Sequence, residues 1–467
     1  MALLAVELND AALFVARPTA ADPEVAAAGP GVAVLHEGRV LVGEAAARRS
    51  RLAPLFVQNS YWQQLSLERL PWSAAGAQTQ ADLAFAQLSS VVEPARASAQ
   101  GMILAVPPGY SREQLGLLTG IANETGLPVR GLVDLGLVAC ASQAMAPHLL
   151  HLDLHTHQAV VTVLEHARAD GALRRTRYEI LPGAGLLAIQ QSLVECVATD
   201  FVRRTRFDPL YEAATEQRLA DLLPGWIAGL GGAEEIIAEI AAGAQAHHVT
   251  LTRHALIDAI ERPLAEILRL VQASRPAGLA VRLCVSHGAA AVPGLLARLG
   301  ALRDCAVVTL APGAAARGAL ERQDAIVRPP ESVALIHRLP VAGVVAATPE
   351  ATPAPERVPP EATPSHVLYG GRAWPITDQP LVLGSAVAGT GRALQLPTGM
   401  PGLSRSHCTL RAFGGVAQVE DHSTYGTYVN DERAVGRVAL RAGDVLRLGT
   451  PGVSLELIRM MPDDGAP

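Results

Sequence analysis

Two sets of side chains have the types and spacing for chemistry. Ser404, Arg405 and His407 fall together in PGLSRSHCTL, a Gly/Pro-flanked turn between two short β-like runs. A hydroxyl and a guanidinium at one turn are groups that a phosphate dianion needs. A lone Ser-Arg-x-His is equally what any polar turn carries. The second set lies in HLDLHTH, residues 151–157. In an extended strand His151, Asp153, His155 and His157 share one face, because side chains alternate with period two. Two histidines and an aspartate make a plausible zinc set. The competing reading puts His155 and His157 in a hairpin turn, where the alternation breaks. Polar turn residues are far commoner than metal sites, so no metal is expected.

The elements that must position these residues are of two kinds. Up to about residue 340, strand and helix alternate. GMILAVPPGY is an apolar strand ended by Pro107, Pro108 and Gly109. In the helix that follows, Ser111 and Gln114 make a capping box, and Leu115, Leu118 and Ile121 form one face. LTRHALIDAIERPLAEILRLV is predicted as one helix kinked at Pro263. VRLCVSHGAAAVPGLLARL gives a strand, a glycine turn and a helix. The pattern predicts an α/β domain with helices over mixed sheets. Beyond residue 366 the runs are short: HVLYG, PLVLGS, HCTLRAF, VAQVED, GTYVN and DVLRLG, separated by Gly, Pro and Asp. That spacing predicts an all-β sandwich. Between the two parts lies a stretch of Pro, Ala, Thr and Glu without apolar periodicity, predicted as an extended linker. The predicted domains are 1–340, a linker 341–366, and 367–461.

Composition excludes several classes. With 467 residues, 49% hydrophobic and 18% charged, the chain is long and apolar enough for two cores. The net charge of −6 argues against nucleic acid as a partner. All 38 basic residues are arginine, which with the abundant alanine suggests a GC-rich, bacterial genome and removes every lysine-dependent mechanism. The five cysteines form no CxxC pair, so neither a zinc ribbon nor a disulfide framework is implied. Cys140 and Cys284 sit in apolar runs and read as core thiols. The first residues lack a basic start, and no apolar stretch approaches the roughly 20 residues of a membrane helix. The expectation is a cytoplasmic protein without membrane insertion.

The large part resembles the ATPase domain of DnaK-type heat-shock chaperones, within the actin-like superfamily. The resemblance rests on ILAVPPGYSREQLGLLTGIANETGLPVRGLVDLGLVACASQ, GVAVLHEGRVLVGEAAARRSRLAP, FVRRTRFDPLYEAATEQRL and CVSHGAAAVPGLLARL, in the family's order. It implies a two-lobed α/β actin-like ATPase fold that binds ATP and Mg²⁺ through two glycine-rich hairpins. Only glycine lets backbone N–H groups approach phosphate that closely. Here the hairpins are matched by Glu7-Leu8-Asn9-Asp10 and Asp153-Leu154-His155-Thr156-His157, without glycine. The adenosine-side Gly-Gly is reduced to Ser286-His287-Gly288, and the family's catalytic lysine has no counterpart. Glu7, Asp134, Asp153 and Gly288 are what remains of a nucleotide site. The expectation is a pseudo-ATPase with no cofactor.

The small part resembles the forkhead-associated (FHA) domain, a phosphothreonine-reading sandwich. PLVLGS, LSRSHCTL, EDHSTYGTYVND and LRAGDVLRLG follow the family's order. The resemblance implies that Ser404, Arg405 and Thr424 contact phosphate, with Tyr425 in the position of the asparagine that holds the ligand's main chain. Gly384, His407, Gly426 and Asn430 would be structural. The family's phosphate-gripping arginine is replaced by Ser385, and Arg392 is expected as a substitute cation. The preferred reading is a non-enzymatic adaptor whose partners are phosphothreonine-containing proteins. The alternatives are an active chaperone-type ATPase recruited by its FHA domain, or an actin-like assembly component of a secretion or cytoskeletal apparatus.

Overall fold

The computed structural model describes the chain outside residues 1, 21, 75, 144–147, 167–170, 244, 277–278, 330–332, 341–362, 370–371, 387–391, 398–402, 431, 435, 450–451 and 461–467. Most of the predicted linker, 341–366, therefore lies outside the described residues. The chain divides into two compact units, Met1–Leu268 with Val281–Val345, and Ala346–Pro467 with Arg269–Ala280.

The large unit is built on two sheets of the same design. In the first, β1 (Leu4–Glu7), β2 (Leu13–Arg17) and β3 (Glu24–Gly29) form an antiparallel meander. Parallel to β1 runs β4 (Met102–Val106), and parallel to that β5 (Val129–Asp134). The second sheet repeats this order. Here β6 (His148–Leu154), β7 (Gln158–His166) and β8 (Ala172–Pro182) are the meander, and β9 (Val281–Val285) and β10 (Cys305–Thr309) the parallel strands. Central parallel strands need apolar residues on both faces, which explains the unbroken MILAV of β4, buried throughout. In β1 the alternation is explicit: Leu4 and Val6 enter one core cluster, Ala5 the other.

Local signals set the helices. Ser111 Oγ accepts from Gln114 N at 3.2 Å and Gln114 Oε1 from Ser111 N at 3.0 Å, closing the predicted box on helix Arg112–Glu124. Four helices matter for the site: α1 (Leu135–Cys140), α2 (Leu186–Thr205), α3 (Ala213–Gly232) and α4 (Ala314–Glu321). The helix predicted to kink at Pro263 is instead two helices, Arg253–Ala259 and Glu261–Ser274. Pro263 sits in the first turn of the second, where its missing N–H costs nothing, so the break falls at Ile260. Among the described residues no helix is long and apolar enough to cross a membrane.

The small unit is a sandwich of a six-stranded and a five-stranded sheet. Leu381, Leu383, Leu410 and Val419 face Leu446, Leu448, Leu455 and Leu457 across its core. Each such side chain contributes roughly 1.5–3 kcal/mol by leaving water. The loops that leave this core at one end carry the SRSH turn.

Candidate functional site

In the small unit two turns meet. Strand Leu381–Gly384 ends against the first turn, where Ser385 N donates to Ser404 O (3.1 Å) and Ala386 N to Arg405 O (3.1 Å). The approach is so close that a Cβ on Gly384 would stand 2.0 Å from Arg405 O. The second turn follows strand Val416–Asp421. Asp421 Oδ1 accepts from Ser423 N (3.1 Å), Ser423 Oγ (2.7 Å) and Thr427 Oγ1 (2.8 Å), and Ser423 Oγ accepts from Gly426 N (2.7 Å). Gly426 has φ +84°, a left-handed conformation that favours glycine.

His407 joins the turns from beneath. It is fully buried; its Nδ1 accepts from Ser404 N (3.1 Å), and its Nε2 lies 2.9 Å from Gly426 O. An acceptor on one nitrogen and a carbonyl at the other require the neutral Nε2–H tautomer. Burial holds its pKa below the ordinary 6.5, against the pull of the Gly426 carbonyl and Asp421.

What the turns present outward is unspent. Ser404 Oγ accepts from Thr424 N (3.2 Å), which leaves its proton free to donate. Arg405 and Thr424 are exposed, and among the described residues no acceptor holds the Arg405 guanidinium. Tyr425 is 52% exposed beside them. Asn430 stands behind the cluster: Nδ2 donates to Asp444 Oδ1 (2.8 Å) and Oδ1 accepts from Val445 N (2.9 Å). Ser404 and Arg405 of the first turn thus lie beside Thr424 of the second, tied by the Thr424 N to Ser404 Oγ bond. Residues 381–449 match the FHA domain family. None of the curated proteins compared matches the chain. FHA domains bind phosphothreonine-containing proteins, and the match supports a phosphoprotein-binding role for this part.

One predicted member of the FHA site is placed elsewhere. Arg392 lies opposite Leu381, whereas the Ser404–His407 turn packs on Gly384, three residues along, or about 10 Å. Its guanidinium donates to Thr377 Oγ1 (2.5 Å), Gln379 O (3.2 Å) and Pro375 O. Asp421 and Ser423, which shape the second turn, went unread in the sequence; the Asp-x-Ser spacing of an Asx turn was the available signal.

In the large unit, the β1–β2 turn meets the β6–β7 turn, and the residues spend their polar groups on one another. Asn9 Nδ2 donates to Asp153 Oδ1 (2.9 Å) and Leu154 O (3.2 Å). Asp10 Oδ1 accepts from Thr156 N (2.8 Å) and lies 3.3 Å from His155 Nδ1. His155 Nε2 is 3.6 Å from Asp153 Oδ2. Both nearby helix N-termini are also occupied. Glu7 Oε2 accepts from Ala315 N (2.9 Å) and Ala316 N (3.2 Å) of α4, while the first N–H groups of α2 reach His155 O (2.9 Å) and Thr156 O (3.0 Å). Burial foremost, and then the charge of Asp153, pushes the Glu7 carboxyl up to about 7.

Of the four predicted remnants, Glu7, Asp153 and Gly288 line one cavity of about 50 Å³, with His151, Ser286 and His287. Ligand sites usually offer roughly 300–1,000 Å³. Asp134 is not among its lining residues: it caps α1 through Leu137 N (2.9 Å) and pairs with Arg175 Nη1 (2.5 Å). His157 turns to Asn59, with Nε2 3.1 Å from Oδ1. The wider cleft alongside, about 1070 Å³, is lined by Ala11, Thr156, His157 and Leu187. His155 N and Thr156 N of the second turn and the first N–H groups of α2 and α4 are spent on acceptors within the protein, and Asp153 Oδ1 is bonded to Asn9.

Proposed function

We propose that the protein is a non-enzymatic adaptor, a DnaK-type actin-like scaffold joined to an FHA domain that reads phosphothreonine. The observation that carries the reading is the open rim of Ser404, Arg405 and Thr424, fixed from beneath by His407 and left without internal partners at the Arg405 guanidinium. A phosphothreonine would accept hydrogen bonds from the Ser404 and Thr424 hydroxyls and pair with the Arg405 guanidinium. Tyr425 would lie along the peptide main chain.

The actin-like assignment is supported by the duplicated sheets, each a meander followed by two parallel strands, with their first turns face to face. Its pseudo-ATPase character is supported by the closed hairpins and by a chain without lysine. Two measurements test the two halves separately. A phosphothreonine peptide library should yield binders that phosphatase treatment abolishes; a diverse library with no binder sinks the reader. ATP turnover should not exceed a buffer blank, and turnover abolished by Asp153→Ala would restore the ATPase.

A further inference from the structure

We infer that the β1–β2 and β6–β7 turns form a protonation-dependent clasp that joins the two lobes of the large unit where a ligand would otherwise bridge them. The clasp is Asn9 and Asp10 from one turn, and Asp153 and His155 at the other. All four are at least nine-tenths buried. The inference rests on the geometry of this unit and not on phosphothreonine binding, so the two fail separately.

His155 is the centre. Its two nitrogens each face a carboxylate oxygen, at 3.3 Å to Asp10 and 3.6 Å to Asp153. A neutral imidazole donates from one nitrogen only, and would aim a lone pair at the other carboxylate. The charged form presents an N–H to each carboxylate, and at 3.6 Å its approach to Asp153 is an ion pair and not a hydrogen bond. Asp153 Oδ2 and His155 Nε2 both lack a hydrogen-bond partner among the described residues, so what balances Asp153 is the positive charge of the ring 3.6 Å away. Removing the proton leaves buried carboxylates facing one another without their cation, which is strongly unfavourable in a low-dielectric interior.

The surrounding groups set the sense of the response. Glu7 on β1 adds negative charge, and His151 on β6 sits close enough to oppose a second cation. His157 acts on Asp10 from the turn, and the Asp10 charge reaches the phenols of Tyr61 and Tyr110, whose hydroxyls donate to Gln87 and to Trp62 O. Burial opposes the charge on His155, but the Asp10 contact and the Asp153 and Glu7 charges outweigh it, and its pKa stands above 6.5. A histidine raised on folding contributes stability that is complete below 6.5 and lost as pH rises through the folded value. The clasp therefore opens toward alkaline pH. Elsewhere the lobes stay tied, because Arg51 Nη1 donates to Gln191 Oε1 (3.2 Å) and Glu216 Oε1 (3.0 Å) across the neighbouring cleft.

Hydrogen exchange on the full chain, corrected for intrinsic rate, tests this between about pH 6 and about pH 9, a range that brackets a raised histidine. Protection of residues 8–12 and 154–158 should fall about tenfold or more across it, while β4 keeps its protection. His155→Gln should leave both turns poorly protected at either pH. Glu7→Gln should keep a pH response with its midpoint moved to lower pH; losing the response altogether would make Glu7 the sensor and overturn the inference. Equal protection of the wild-type turns at both pH values would also overturn it. Should His155→Gln fail to fold, Asn9→Ala removes the two cross-turn bonds and should lower protection at both turns without abolishing the pH response.

Discussion

The two turn clusters of this molecule use the same residue types to opposite ends. In each, a buried histidine and nearby aspartates join turns that are distant in sequence. In the FHA domain His407 lies beneath the turns and binds backbone, so the hydroxyls and guanidinium above it face outward. In the large unit His155 lies between the turns and faces side chains, so the acids there are neutralised from within. A histidine under a site preorganises it, whereas a histidine inside a site fills it.

The comparison is most exposed at His407. Replacing it with alanine removes a fully buried ring and two hydrogen bonds, and should destabilise the FHA domain by about 2–4 kcal/mol. Calorimetry of the full chain should show one transition lowered and the other unmoved; an unshifted profile would mean the ring is not the support. Next in size is Arg405→Ala: if the proposed function holds, the loss of a charge-assisted bond of roughly 1.5–3 kcal/mol should cost at least about tenfold in phosphopeptide affinity. Fluorescence anisotropy reads this directly, and equal binding by the variant would return the turn to a purely structural role.

Acid gives a smaller effect. Because the folded pKa of His407 is held below 6.5, the unfolded chain binds the extra proton, so its contribution is complete above 6.5 and shrinks as pH falls toward the folded value. The stability gap between wild type and His407→Ala should therefore narrow in acid. A gap independent of pH would mean that the ring's protonation is not linked to folding. Smallest of all is Arg392→Ala, expected to leave phosphopeptide affinity unchanged within about twofold, since its guanidinium is held by Thr377, Gln379 and Pro375. A loss comparable to that of Arg405→Ala would place it in the site after all.

What the sequence made legible was local. The Ser111–Gln114 box, the MILAV strand and the short strands around SRSH depend on spacings within a few residues. They are found where the pattern puts them. The large unit's turns show the limit. Asn9 and His155 read as lost glycines, which says what the turns no longer do. Their actual partners lie 144 residues apart, as in Asn9–Asp153, and no local pattern encodes such a pairing. Arg392 shows the same limit. Its charge was visible, but the strand pairing that carries it to the far end of the sheet was not.

The contact of Gly384 with the Arg405 carbonyl has a thermodynamic consequence. A turn seated that tightly, and tied again at Ser385 and Ala386, has little conformational freedom left to lose when a ligand arrives. The ordering cost of association then falls on the incoming peptide rather than on the receptor. Two phosphothreonine peptides making identical contacts would be ranked by the stiffness of their own backbones. A segment already held extended, as proline next to the threonine holds it, would bind with the smaller entropic loss.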